Sequence, residues 1–311
     1  MPATIVHLVG VERLALAPAG LPAPVAKALV EDLEYARLGA AWLDLPWYRS
    51  VAGELARITL GYAAPTPPAL ELLHTEPIRV GLRLGETVAR GALVGTEAGL
   101  ALVAGYFLHL SLDRSLAGPM ARLLGEADAG DRGALHARRG VEWVQSLLWL
   151  RETLGYDPLG TPEISRRYQV VKRKGFPARG LGRGIYLLLR TAYLDVVGEA
   201  PRKSEVDSWV RGLWLHGRIL GSAFGRSLSL PETVPEATWA SYRSDGLDVA
   251  EAIEEGIDQA RVSISRLYEL MQGEPSLVGS DRFFLDALSP RGENERAGEE
   301  TAPVEASARP S

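Results

Sequence analysis

Residues Gly99–Pro119 read GLALVAGYFLHLSLDRSLAGP, and the reading of the whole fold starts from them. From Gly99 to Leu112 every helical face is apolar, the pattern of a helix buried in the middle of a bundle. The run is too short to cross a bilayer, which takes roughly 20 apolar residues. It predicts a central helix from Gly99 to about Ser115. His109 and Asp113 sit at its far end, where i,i+4 spacing stacks an imidazole and a carboxylate on one face. Burying such a pair is costly unless it is hydrogen-bonded or holds a cation. Two readings therefore stand side by side: a plain His–Asp hydrogen bond, or two ligands of one metal ion.

Working outward, helical patterns dominate. Leu21–Leu38 carries apolar residues near helical spacing. Gly39–Ser50 (GAAWLDLPWYRS) breaks that pattern, because Pro46 pushes Leu45 toward an extended backbone and leaves Asp44 on a loop or at a helix end. A helix starting near Ala69 carries His74, and a longer one over Ala134–Leu154 carries His136 and Glu142. Ile185–Val197, Glu205–Phe224 and Leu247–Met271 complete the set, and strand signals are scarce. The fold class expected is all-α, a multi-helix bundle around the buried central helix. One domain is expected over residues 1–275, followed by a disordered polar tail over 276–311 that ends PRGENERAGEETAPVEASARPS.

Composition narrows the function. The 311 residues are 46% hydrophobic, enough for a sizeable core, and the net charge of −5 argues against general affinity for nucleic acid. With no cysteine, disulfides and thiolate metal sites are excluded, so any zinc would take His, Asp or Glu. That count suits the cytoplasm. The opening MPATIVHLVGVERLALAPAG lacks a basic stretch ahead of an apolar run, and Glu12 and Arg13 interrupt it, so it does not read as a signal peptide. Arg166–Arg183 holds basic residues and no acid. It reads either as a solvated loop or as a patch for phosphate or an anionic membrane surface. Dinucleotide, P-loop and nucleophile-elbow motifs are all missing from the chain.

Of the five histidines, His216 in GLWLHGRIL reads as a packed core residue. The other four join three acids in a set suited to a hard cation: His7, Asp44, His74, His109, Asp113, His136 and Glu142. Only His109 and Asp113 are held together by local spacing. Two ions a few ångströms apart would suit phosphoester hydrolysis, activating water and clamping the attacking and leaving oxygens.

The order and setting of these residues resemble the zinc-dependent phospholipase C family, the all-helical proteins related to bacterial phospholipase C and S1/P1-type nucleases. MPATIVHLVGVERL is similar to that family's opening, RLGAAWLDLPWY to its loop-aspartate segment, and LLHTEPIRVGLRL to its His-Thr-Glu segment. LVAGYFLHLSLDRSLAGP resembles its Gly-Tyr-x-x-His-x-x-x-Asp-x-x-x-His-Pro segment, and LHARRGVEWVQSLL its later His…Glu helix. The resemblance covers about the first half of the chain. It implies zinc as cofactor at His7, Asp44, His74, His109, Asp113, His136 and Glu142. It also implies a phosphodiester or phospholipid head group as substrate, and Asp44 bridging the metals or orienting the attacking water. The departures imply a reduced site. Leu43 stands where the family has proline, Ala117 and Gly118 precede Pro119 where it has histidine, and six residues rather than four separate His136 from Glu142. The alternative is a non-catalytic helical protein on the same fold, its metal site degenerate or absent, binding anionic surfaces through the basic loop.

Overall fold

Every residue from Gly99 to Leu112 is buried, as a helix apolar all round has to be. The structure, a computed structural model, describes residues 4–50, 67–91, 94–124, 132–171, 181–230, 248–273 and 281–288. Among these the regular elements are all helical. In chain order they are α1 (Thr4–Leu16), α2 (Ala23–Glu31), α3 (Leu33–Ala41), a 3-10 helix (Trp42–Arg49), α4 (Pro68–His74) and α5 (Pro77–Ala89). The central helix α6 (Thr96–Leu124) and α7 (Arg132–Leu154) follow, then α8 (Pro162–Arg167), α9 (Arg183–Val196), α10 (Lys203–Leu220) and the short α11 (Ala223–Arg226). The last are α12 (Val249–Gly273) and α13 (Asp281–Leu288). None of these helices is long and apolar enough to cross a membrane.

The all-α expectation holds, with three adjustments. First, α6 does not stop near Ser115 but runs through Pro119 to Leu124. Leu116 and Met120 are buried there, an i,i+4 pair whose burial extends the helix although proline gives up one backbone hydrogen bond. Second, the segment read as one helix over Leu21–Leu38 breaks at Asp32 (φ −124°, ψ 38°). The break frees α3 to lie along α6, its most extensive contact. Third, the ordered fold does not end at 275. Residues 281–288 of the expected tail form α13, and Phe284 is fully buried with its ring 5.4 Å from that of Phe107 on α6. Residues 276–280 and 289–311 of that tail lie outside the described residues.

The crossing of α3 and α6 positions the site. A Cβ at Gly105 would lie 1.9 Å from the Ala36 carbonyl oxygen, and one at Gly39 would lie 2.0 Å from that of Leu102. Hydrogen at both positions lets the two backbones touch, which brings the last carbonyls of α3 within reach of side chains on α6. α12 packs along α6 as well, with α2 and α5 also against it. α1 is buried from Ile5 to Val11, so His7 enters the core rather than the surface.

Ion pairs tie the outer helices to this core. Glu12 on α1 accepts hydrogen bonds from Arg37 on α3 (2.7 Å) and Arg167 on α8 (2.9 Å). Arg83 on α5 donates to Asp195 on α9 through Nε (2.8 Å) and Nη2 (2.6 Å). His216 is 7% exposed, its ring 5.2 Å from Tyr48 and 5.4 Å from Tyr168, which makes it the packed core residue its sequence context suggested.

Candidate metal centre

α1, the 3-10 helix and α6 bring His7, Asp44, His109 and Asp113 into contact, and His74 at the end of α4 lies near enough to feel the charges of His109, Asp113 and Asp44. His7 and His109 are fully buried and Asp44 nearly so, while Asp113 and His74 are half-buried. The His7 and His109 rings stack with centroids 4.0 Å apart and planes inclined by 11°. Asp113 lies across their edges. His7 Nε2 donates to Asp113 Oδ1 at 3.2 Å, and His109 Nε2 stands 3.1 Å from Asp113 Oδ2. The second contact is close enough for an ion pair but is not aligned as a hydrogen bond, so that nitrogen has no directed partner. The i,i+4 pairing read from the sequence is therefore real. Its geometry is electrostatic.

The other nitrogen of His109 is fixed. Nδ1 donates to the Ala40 carbonyl at 2.7 Å, a bond made by the close α3–α6 crossing. Ala40 lies in the last turn of α3, where carbonyls lack partners within their own helix. At His74 the Leu43 carbonyl favours a charged ring, and the buried Nε2 has no hydrogen-bond partner. His7 Nδ1 is also buried without a partner and faces Asp44 Oδ2 at 3.8 Å. The Thr4 hydroxyl, one turn earlier on α1, donates to that same Asp44 oxygen at 2.8 Å.

Charge in the cluster is shared unequally. Burial opposes a charge on His109, but the adjacent Asp113 carboxylate, with Asp44 behind it, raises its pKa to about 9. Burial lowers the pKa of His7, and the positive charge on His109 beside it lowers it further. The same two causes lower His74. Burial favours the neutral acid at Asp113, yet His109 and then His7 hold its pKa well below the usual carboxylate range. Without metal, the cluster is an imidazolium–carboxylate pair flanked by two neutral imidazoles.

These residues suit a metal ion. His7, His109 and Asp113 each offer one ligand atom, all within 4.8 Å of one another. Bonds of about 2.0–2.1 Å in a tetrahedral zinc site hold ligand atoms roughly 3.3–3.4 Å apart. The Asp113 contacts of 3.1 and 3.2 Å come close to that spacing, and Asp44 and His74 lie outside this three-residue group. Pinning one ring nitrogen to a backbone carbonyl also sets the tautomer that leaves the other free to coordinate.

Of the last two candidates, Glu142 does not join. The His136 side chain lies outside the described residues. Glu142 is half-buried on α7 and belongs to no metal-capable group among the described residues. The basic run is also partly spent. Arg166 pairs with Glu163 and Arg167 with Glu12, while residues 172–180 lie outside the described residues.

Sequence reasoning missed Thr4 and the carbonyls of Ala40 and Leu43. A threonine three residues before a candidate histidine on a helix was a usable signal; backbone carbonyls leave none. Compared with family models, with curated proteins and with solved structures, the chain matches none.

Proposed function

We propose that this protein is a metal-dependent phosphoester hydrolase, its zinc held by His7, Asp44, His74, His109 and Asp113. Under this reading the helices form a bundle of the phospholipase C and P1 nuclease kind, as the resemblance in the first half of the chain implies. The observation that carries it is the paired arrangement of His109 and His74. Both have a buried Nε2 without a hydrogen-bond partner near two carboxylates, and His109 Nδ1 is fixed on the Ala40 carbonyl.

A zinc ion bound there supplies Lewis-acid activation of water and charge to offset a leaving oxygen. The chain's own residues do the rest. Ala40 orients the His109 imidazole, and Thr4 fixes one oxygen of Asp44 so that the carboxylate keeps its other oxygen for the ion or a water. The substrate class proposed is a phosphodiester or phospholipid head group. The test is elemental analysis of protein purified without chelator, together with hydrolysis of bis(p-nitrophenyl) phosphate. At least one zinc per chain is expected, with hydrolysis abolished by chelator and restored by zinc. A metal-free protein that gains neither zinc nor activity would overturn the proposal.

One observation favours a second reading. His109 and Asp113 already form an ion pair at 3.1 Å, so a helical protein with a degenerate, non-catalytic site would be stable without an ion. Full stability with no zinc uptake is the result that selects it.

A further inference from the structure

The turn carrying His74 is clamped from both sides by two buried tyrosines. On one side the Tyr193 hydroxyl donates to the Leu73 carbonyl at 3.0 Å, the peptide immediately before His74. On the other, the Tyr106 hydroxyl donates to the Pro77 carbonyl at 2.9 Å. Trp42 Nε1 donates to the Tyr193 hydroxyl at 3.2 Å and so holds it in place. All three aromatic side chains are essentially unexposed. Burial raises the pKa of both phenols, so each stays a protonated donor across the physiological range.

The clamp joins the elements that carry the candidate ligands. Tyr106 lies one turn before His109 on α6, and Trp42 lies two residues before Asp44 on the 3-10 helix. Tyr193 comes from α9, which supplies no candidate ligand. Between the two clamped carbonyls, Glu76 adopts a left-handed backbone (φ 49°, ψ 45°), the one non-glycine residue with positive φ among the described residues. A side chain in that region is strained, and such a residue persists where its surroundings over-determine the turn. His74 itself lies at the end of a seven-residue helix, too short to hold its own position.

We propose that Tyr193, seated by Trp42 and seconded by Tyr106, is a positioning residue that aims His74 into the metal centre. The inference rests on the metal reading above. Fixing the Leu73 carbonyl sets the backbone of His74, whose buried Nε2 has no hydrogen-bond partner and is left to take an ion beside the His7, His109 and Asp113 group.

The variant is Tyr193→Phe, which keeps the ring and removes the donor. Tyr186→Phe is the control: it sits on the same helix, and its hydroxyl bonds the Pro201 carbonyl at 3.3 Å, away from the cluster. Zinc affinity is read by competition with a chromophoric chelator, and the His74 tautomer by long-range nitrogen–proton spectra of the metal-free protein. Tyr193→Phe is expected to lose about 10–100-fold in zinc affinity, the range for groups that orient metal ligands. It should also lose the single His74 tautomer, while Tyr186→Phe keeps both. Tyr106→Phe should move both readouts in the same direction, and it replaces Tyr193→Phe if that variant fails to fold. Unchanged affinity and tautomer in the tyrosine variants would overturn the inference. If the wild type takes no zinc, the metal reading falls, and the tautomer spectrum alone decides whether Tyr193 positions His74.

Discussion

Replacing one hydrogen by a methyl group at Gly105 should dismantle the centre from outside it. The new Cβ would sit 1.9 Å from the Ala36 carbonyl oxygen and 2.9 Å from the Ala40 nitrogen, both backbone atoms that cannot rotate away. Relief requires α3 to retreat from α6 by about 1.1–1.5 Å, and overpacking of this kind costs about 1–3 kcal/mol. The same retreat stretches the 2.7 Å bond between His109 Nδ1 and the Ala40 carbonyl beyond hydrogen-bond range, adding about 1 kcal/mol. The total, about 2–4 kcal/mol, corresponds to a melting point lower by about 4–8 °C in a chain of this size. It should come with weaker zinc binding, because the freed imidazole no longer presents one nitrogen. Gly140→Ala is the matched control. Its Cβ meets nothing within 4 Å and the residue is exposed on α7, so it should be neutral or gain up to about 1 kcal/mol from helix propensity. Thermal unfolding followed by circular dichroism, with and without zinc, reads both. A Gly105→Ala protein that melts with the wild type and binds zinc equally well would refute the claim that this crossing holds His109 in place.

The centre itself makes two further predictions. If His109 and Asp113 are ligands, His109→Ala and Asp113→Asn should both abolish a zinc-dependent rise in melting temperature that the wild type shows. If they are only an ion pair, the wild type should show no zinc response, and His109→Ala should cost about 2–4 kcal/mol against a milder Asp113→Asn. For pH, the folded pKa of His109, about 9, lies above its ordinary 6.5. Its contribution in the metal-free protein is therefore complete below about pH 6.5 and lost as pH rises through about 9, on the order of 3 kcal/mol. Zinc competes with that proton, so zinc affinity should rise over the same interval. Metal-free unfolding curves that do not weaken from pH 6.5 to 9 would contradict the imidazolium assignment.

What the sequence determined by itself was the helical class and the centre of the bundle. An apolar run on every helical face has only one stable place, and Gly99–Leu112 is buried throughout. Spacing of i,i+4 puts His109 beside Asp113 whatever the rest of the chain does, because helix geometry is local. His7, Asp44 and His74 are different, being separated by tens of residues and by segments whose path no local pattern sets. Residue type alone made them candidates for one set, and packing brought His7 to Asp44, His109 and Asp113.

The finer chemistry belongs to the tertiary structure alone. Glycine at 39 and 105 is visible in the sequence, but that these two meet, and deliver the Ala40 carbonyl to His109, depends on which faces of α3 and α6 pack. Tyr193 is likewise one of ten tyrosines until α9 docks and its hydroxyl reaches the Leu73 carbonyl. Glu142 shows the reverse. Its residue type fitted the set, yet on α7 it joins no metal-capable group among the described residues. Residue type and local period follow from the chain one segment at a time. The partner of a backbone carbonyl is chosen only when two segments pack, and in this protein the Ala40 carbonyl is the one that holds His109.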